Sequence, residues 1–262
     1  MLSVEASIRA ADWEGVKPPG KRLFRLALLN GFELTRHGVA IPLSSGPQHL
    51  LAYLAVNDRS LRRVHIAGIL WGDVSDERAA GNLRSALWRM RIGGLDLVGI
   101  EGDCLRLSPL VDVDVREAAR LARVVLDPTA DASARDLDEF QFAGELLPGW
   151  YDDWVVLERE RQRQICLHLL EGLCEAWTRT GQYEKAVVAG LAAVAGEPLR
   201  ESAHRALIGA HLAEGNLVEA IRQYDFYRNV LREELQLEPS TRLTGLMKGL
   251  HVTTESTARF RP

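Results

Sequence analysis

The chain has no apolar run long enough to cross a bilayer. Its longest apolar stretch, 186–195, is interrupted by Gly190, and a spanning helix needs about 20 residues. A membrane partner is therefore not expected. Cysteine is scarce: three residues, Cys104, Cys166 and Cys174, lie far apart. An odd, scattered set excludes a disulfide framework and fits a reducing, cytoplasmic setting. Glu5, Arg9, Asp12 and Glu14 stand near the start with no apolar segment among them, so no secretory signal is read there. Phosphate-cradling, dinucleotide, nucleophile-elbow and His-Glu-x-x-His motifs are all missing from the sequence. Neither an enzyme nor a bound cofactor is expected. Cys166, His168 and Cys174 do not make a metal site, because on one helix His168 points about 200° away from Cys166. Overall positive charge is lacking too: 32 Lys+Arg face 36 Asp+Glu, for a net charge of −4. Taken whole, that argues against a nucleic-acid partner.

The distribution of charge argues the other way. Residues 20–110 hold 12 Lys+Arg against 8 Asp+Glu, and residues 111–262 hold 18 against 25. A modestly basic front half and an acidic back half suggest two different jobs. With 47% hydrophobic and 26% charged residues, the chain can bury a core in one large domain or two ordinary ones.

Residues 1–20 read as a loose arm that ends at "KPPG". "LFRLALLNGFELTRHGVAIPL" then predicts three or four short antiparallel strands over 23–43, with Asn30–Gly31 the stronger turn signal and His37–Gly38 the weaker. After Pro42 the period becomes helical. "PQHLLAYLAVN" carries a Pro suited to a first turn and an apolar stripe at Leu50, Leu51, Leu54 and Ala55. "RRVHIAGILWG" stops at Gly72. "SDERAAGNLRSALWRMRIGG" begins with Ser75 or Asp76 as N-cap and ends at Gly93–Gly94. "LDLVGIEGDCLRL" follows as a hairpin with Glu101–Asp103 at its tip. Strands, three short helices and a hairpin are the order of a winged helix-turn-helix, whose last helix enters the major groove.

Beyond Pro109 and "VDVDV", nearly everything reads helical: 116–126, 136–146, 152–179, 183–195, 199–214, 217–234 and 240–250. "GQYEKAV" at Gly181 and "GNLVEAI" at Gly215 repeat at an offset of 34 residues, with Ala186 and Ala220 in register. That is the tetratricopeptide period, and such helix pairs stack to present a concave groove. The fold class expected is therefore mainly α with a small antiparallel β part. The domains expected are an arm at 1–20, a winged helix at 21–110, an all-helical tetratricopeptide-like domain at 111–250 and a tail at 251–262.

The third helix carries the candidate chemistry. At 100° per residue, Ala79, Ala80, Leu83, Leu87 and Met90 share an arc of about 100°. Arg78, Gly81, Asn82, Ser85, Trp88 and Arg89 fill the opposite arc, about 120° wide. Arg can bond guanine and Asn can bond adenine in a two-pronged way, so Arg78, Asn82, Ser85 and Arg89 are candidates for base edges, and Gly81 for a close backbone approach. Arg84 and Arg91, on the flank, suit phosphates or salt bridges, as do Arg62, Arg63 and Arg106. Arg opposite Leu is also what an ordinary solvated helix shows, and Trp88 fits either a groove or a packed neighbour. Glu158 to Gln164 reads as a solvated face, and Trp150, Tyr151 and Trp154 as a packing anchor.

On these residues the chain resembles the actinobacterial antibiotic-regulatory-protein (SARP) type of transcriptional activator. That family joins an OmpR-like winged helix to a bacterial transcriptional activator domain. "LLAYLAVNDRSLRRVHIAGILWGD" is similar to its first two DNA-domain helices, and "NLRSALWRMR" occupies the place of its recognition helix. "FAGELLPGWYDDWVVLERERQR" and "EPLRESAHRALIGAHLAEGNLVEAIRQYDFYRNVLREELQLEPSTRL" are similar to its activator domain. The resemblance covers about 22–250. It implies binding to double-stranded promoter DNA, commonly at direct repeats ahead of secondary-metabolite genes. It also implies recruitment of RNA polymerase subunits and a homodimer on DNA. Longer relatives append an ATPase, whose phosphate loop this sequence lacks. The family's basic residues before the first helix are replaced here by "LSSGPQHL", and Glu101 and Asp103 acidify the hairpin tip. These departures predict a weaker wing contact. The other reading from the residues is a ligand- or partner-binding regulator whose helical groove does the work, with weak DNA binding of its own.

Overall fold

The computed structural model describes residues 23–117, 119–120 and 144–247. They fall into two compact units, Met1–Asp114 and Val115–Pro262.

In the first unit, β1 (Phe24–Ala27), β2 (Glu33–Arg36) and β3 (Val39–Ala40) form an antiparallel meander. Arg36 pairs with Val39, which leaves only His37 and Gly38 to turn, at φ 50° and 81°. Two successive left-handed residues are what a type I′ hairpin needs. Asn30–Gly31, the stronger signal in the sequence, sits instead in the wider loop 28–32, because Ala27 pairs with Glu33. The chain stays extended past Ala27 for a reason: Leu28 is fully buried. The backbone N–H groups of Leu28 and Leu29 both donate to Asp114 Oδ2 at 2.9 Å.

A fourth strand, β7 (Val111–Val113), runs parallel to β1 at the edge of this sheet. Alternation along Val111-Asp112-Val113 buries both valines. Residues 111–113 thus belong structurally to the first unit, although the chain is read as entering its helical half there.

Three helices follow the meander: α1 (Ser45–Val56), α2 (Arg63–Leu70) and α3 (Asp76–Ile92). A second sheet pairs β4 (Leu61–Arg62) with β6 (Cys104–Leu107), and β6 with β5 (Val98–Glu101), all antiparallel. Leu50, Leu51, Leu54, Ile66, Leu97 and Leu105 are fully enclosed, and each such side chain stabilises the unit by about 1.5–3 kcal/mol.

The second unit consists, among the described residues, of α4 (Asp153–Arg179), α5 (Tyr183–Gly196), α6 (Glu201–Glu214) and α7 (Leu217–Leu235), with 241–247 helical after them. The repeat is visible in its packing. Gly181 (φ 76°) and Gly215 (φ 88°) end the first helix of each pair in the left-handed region. Ala186 and Ala220 are fully buried at the matching positions. Gly190 shows why α5 can touch two helices at once. A Cβ there would meet Leu207 at 3.0 Å and Cys174 Sγ at 3.2 Å. The architecture is mainly α with a small, largely antiparallel β part. The helices expected over 116–126 and 136–146 fall mostly outside the described residues, and Leu146 itself lies in a bridge rather than a helix.

Candidate nucleic-acid interface

α3 is built to show one face. Asp76 and Glu77 stand in its first turn, and Arg89 and Arg91 in its last, which complements the helix dipole at both ends. Ala79, Leu83, Ala86 and Met90 are 2–3% exposed and seat the helix on the core. Opposite them Arg78, Asn82, Ser85 and Arg89 are all exposed. Their spacing of four, three and four residues makes them a single stripe, roughly 16 Å long at 1.5 Å per residue. At Gly81 an added Cβ would meet only Arg84 Nη2, at 3.7 Å. The fold therefore does not itself require glycine there, and a mid-helix glycine costs about 0.5–1 kcal/mol.

Arg89 differs from the other three. Its Nη1 donates to Ser44 Oγ at 3.1 Å, which holds the guanidinium beside the first turn of α1. That turn has no acidic residue and no side-chain cap, so its free N–H groups favour an anion. Nothing local in the sequence signals this pairing across 45 positions.

The flank facing β5 forms an open cleft of about 440 Å³. Arg63, Arg84 and Arg91 line it together with Trp88, Ile100 and Asp96. Trp88 is 62% exposed, so it is not part of the first unit's core. The backbone N–H of Arg63 donates to the Asp103 carbonyl at 3.0 Å, fixing the start of α2 against the hairpin tip. Arg62 precedes it in β4 and is exposed. None of Arg62, Arg63, Arg78, Arg84, Arg89 and Arg91 forms an ion pair among the described residues.

The hairpin itself is a two-residue turn, because Glu101 pairs with Cys104, and Gly102 turns at φ 58°. Arg106, a candidate phosphate contact, is engaged: its Nη2 lies 3.0 Å from Glu101 Oε1. Its stem lies over Gly99, where an added Cβ would meet Cγ at 3.2 Å. Both partners are about half exposed, so the pair contributes little stability, at most about 1 kcal/mol. Its consequence is a hairpin whose own cation, Arg106, is already neutralised.

The aromatic group at the start of α4 is split. Trp154 is buried with Trp150 edge-on at 6.5 Å, whereas Tyr151 is 84% exposed. Arg159 gathers this loop by donating to the carbonyls of Leu146, Leu147 and Trp150 at 2.8–3.0 Å. His168 is held by the Gln164 carbonyl at 2.8 Å and by Arg200 at 3.0 Å. Cys174 lies in the core, and burial pushes its thiol up to about 12.

Comparison with known proteins places the chain. Regulatory protein AfsR of Streptomyces coelicolor is 27% identical over 239 residues, 86% of this chain. The chain spans only 24% of that relative's length. The structure of Mycobacterium tuberculosis EmbR in complex with a low-affinity phosphopeptide superposes with a TM-score of 0.66 at 20% identity. It matches 87% of this chain and 64% of that one, and shows the shared fold. The family model of the bacterial transcriptional activator domain matches residues 112–251, more than half of the sequence. The chain thus belongs to the bacterial transcriptional activator domain family.

Proposed function

We propose that this regulator is a sequence-specific activator that binds double-stranded promoter DNA through α3. The observation that carries the reading is the exposed stripe of α3, backed by buried Ala79, Leu83, Ala86 and Met90 and flanked by arginines with no ion pair among the described residues. Arg78 and Asn82, in the N-terminal half of the helix, the end a recognition helix presents to bases, and Ser85, next on the same stripe, would read base edges. Arg62, Arg63, Arg84 and Arg91 would hold phosphates. Arg89, an exposed member of the same stripe, would leave Ser44 for a base or share a phosphate with the first turn of α1; its position beside that turn favours the phosphate. Arg106 would contribute only after exchanging Glu101 for DNA. Family membership supports regulation of transcription. Direct-repeat sites, a homodimer on DNA and contact between the helical unit and RNA polymerase subunits are the proposal's further parts, as is a cytoplasmic location on the nucleoid.

Binding-site selection from random duplexes at two salt concentrations tests it. Enrichment of one motif, with affinity falling steeply as salt rises, is the expected result. Five phosphate contacts would give a slope of about −4 to −5 in log K against log salt. An unenriched pool would remove the base-reading role of α3.

One observation favours a second reading, in which the helical unit does the work and DNA binding is weak. The Arg106–Glu101 pair and the free carboxylate of Asp103 leave the hairpin nothing with which to attract phosphate. That reading predicts a salt slope near zero.

A further inference from the structure

Among the described residues, most arginines of the helical unit from Arg159 onward meet a carboxylate. Of the described arginines from Arg159 onward, Arg159, Arg161, Arg163, Arg200, Arg222, Arg228 and Arg232 each meet a carboxylate at 2.5–3.4 Å. Arg205 has a longer contact, 3.7 Å to Glu175. Arg179 and Arg242 have no anionic partner among the described residues. Both unpaired arginines line the same groove, together with Arg205.

That groove runs between the C-terminal end of α4, α6 and the helical residues 241–247, and has a volume of about 400 Å³. Arg179, Arg205 and Arg242 converge on it against the single carboxylate of Glu175. Its floor is bare where α6 passes: at Gly209 an added Cβ would meet nothing within 4 Å. Leu246 supplies an apolar contact at one side. Residues 111–262 carry 25 acidic side chains against 18 basic ones, yet among the described residues only Glu175 stands at this groove.

We propose that this groove receives an acidic segment of a partner protein, whose carboxylates pair with Arg179 and Arg242. Guanidinium and carboxylate form paired, charge-assisted hydrogen bonds, and the open strip over Gly209 has room for a peptide backbone. A duplex fits less well, because residues 111–262 carry a net negative charge, 18 basic against 25 acidic side chains, which opposes an extended run of phosphates. The inference rests on the second unit's engaging a partner, as proposed above, and is independent of whether α3 binds DNA.

The test uses the full chain and a fluorescein-labelled peptide of Asp, Glu, Ala and Leu, beside its Asn/Gln isostere. The acidic peptide should bind about tenfold or more tightly than the isostere. Arg179→Glu with Arg242→Glu should abolish the difference. Gly209→Phe, which fills the groove without changing charge, should weaken binding as well; thermal melts check that each variant folds. Equal binding of peptide and isostere, unchanged binding by both variants, or displacement of the peptide by random-sequence duplex would each overturn the proposal. DNA affinity, measured on the same variants, should not move. A chain that binds the peptide but not DNA sinks the reading of α3 alone, and the converse sinks the groove alone.

Discussion

The two units use arginine in opposite ways. Around α3, six arginines stand exposed or half-exposed with no carboxylate partner among the described residues. In the helical unit, most arginines are pinned within an α-helical turn, as in Arg161–Glu158, Arg222–Glu219 and Arg228–Asp225, or across elements, as in Arg200–Glu171. A guanidinium closed by a neighbour serves the fold, and one left open keeps its charge for something outside it. If α3 is the proposed reading surface, the contrast separates it from a scaffold residue by residue, where net charge separates only the two halves.

Breaking a closed pair should therefore harm the fold, and removing an open arginine should harm only binding. The largest effect is expected at Glu171, which accepts from Arg200 Nε at 2.6 Å and Ser202 Oγ at 2.7 Å with side-chain exposures of 12% and 18% for the charged pair. Glu171→Ala removes the carboxylate of Arg200 and leaves it only the neutral side chain of Gln164 and the ring of His168. With allowance for partial exposure, denaturant unfolding should register a loss of about 2–3 kcal/mol, with DNA affinity per folded molecule unchanged. Next come Arg78→Ala and Asn82→Ala. Each should cost about 1–3 kcal/mol at the selected site and relax the preference at one base pair, while the melting temperature stays put. Arg84→Ala should weaken all sequences alike and flatten the salt slope by about 1; a change confined to one sequence would move Arg84 to the base-reading set. The smallest effect is expected at Glu101→Gln. It releases Arg106, and a titration at low salt should show a gain of a few-fold in DNA affinity, within about 1 kcal/mol. A loss there would mean that the Arg106–Glu101 pair is the form in which the wing contacts DNA.

The helical period made α3 legible. Leu83, Met90 and Ala79 fall on the buried side and Arg78, Asn82, Ser85 and Arg89 on the open side, because both faces are set by local spacing. Glycine punctuation likewise marked the repeat at Gly181 and Gly215. What the sequence concealed depends on residues distant in the chain. The Arg89–Ser44 bond, the clamp of Asp114 on Leu28 and Leu29, and the parallel pairing of β7 with β1 all join segments far apart. Gly190 was visible only as a glycine in an apolar stretch, and its close approach to Leu207 emerges once α6 is in place. Both turn signals sit where strands reverse: Asn30–Gly31 joins β1 to β2 and His37–Gly38 joins β2 to β3, but the first turn is a five-residue loop with buried Leu28 at its start.

The most direct test of the contrast is the salt dependence of DNA affinity for three forms of the full chain. Wild type should give a slope of about −4 to −5, and a form with Arg62, Arg63, Arg84 and Arg91 changed to Ala a slope near −1. A form with Arg161, Arg222, Arg228 and Arg232 changed to Ala should keep the wild-type slope. Equal slopes for the two substituted forms would contradict the division of labour between open and closed arginines.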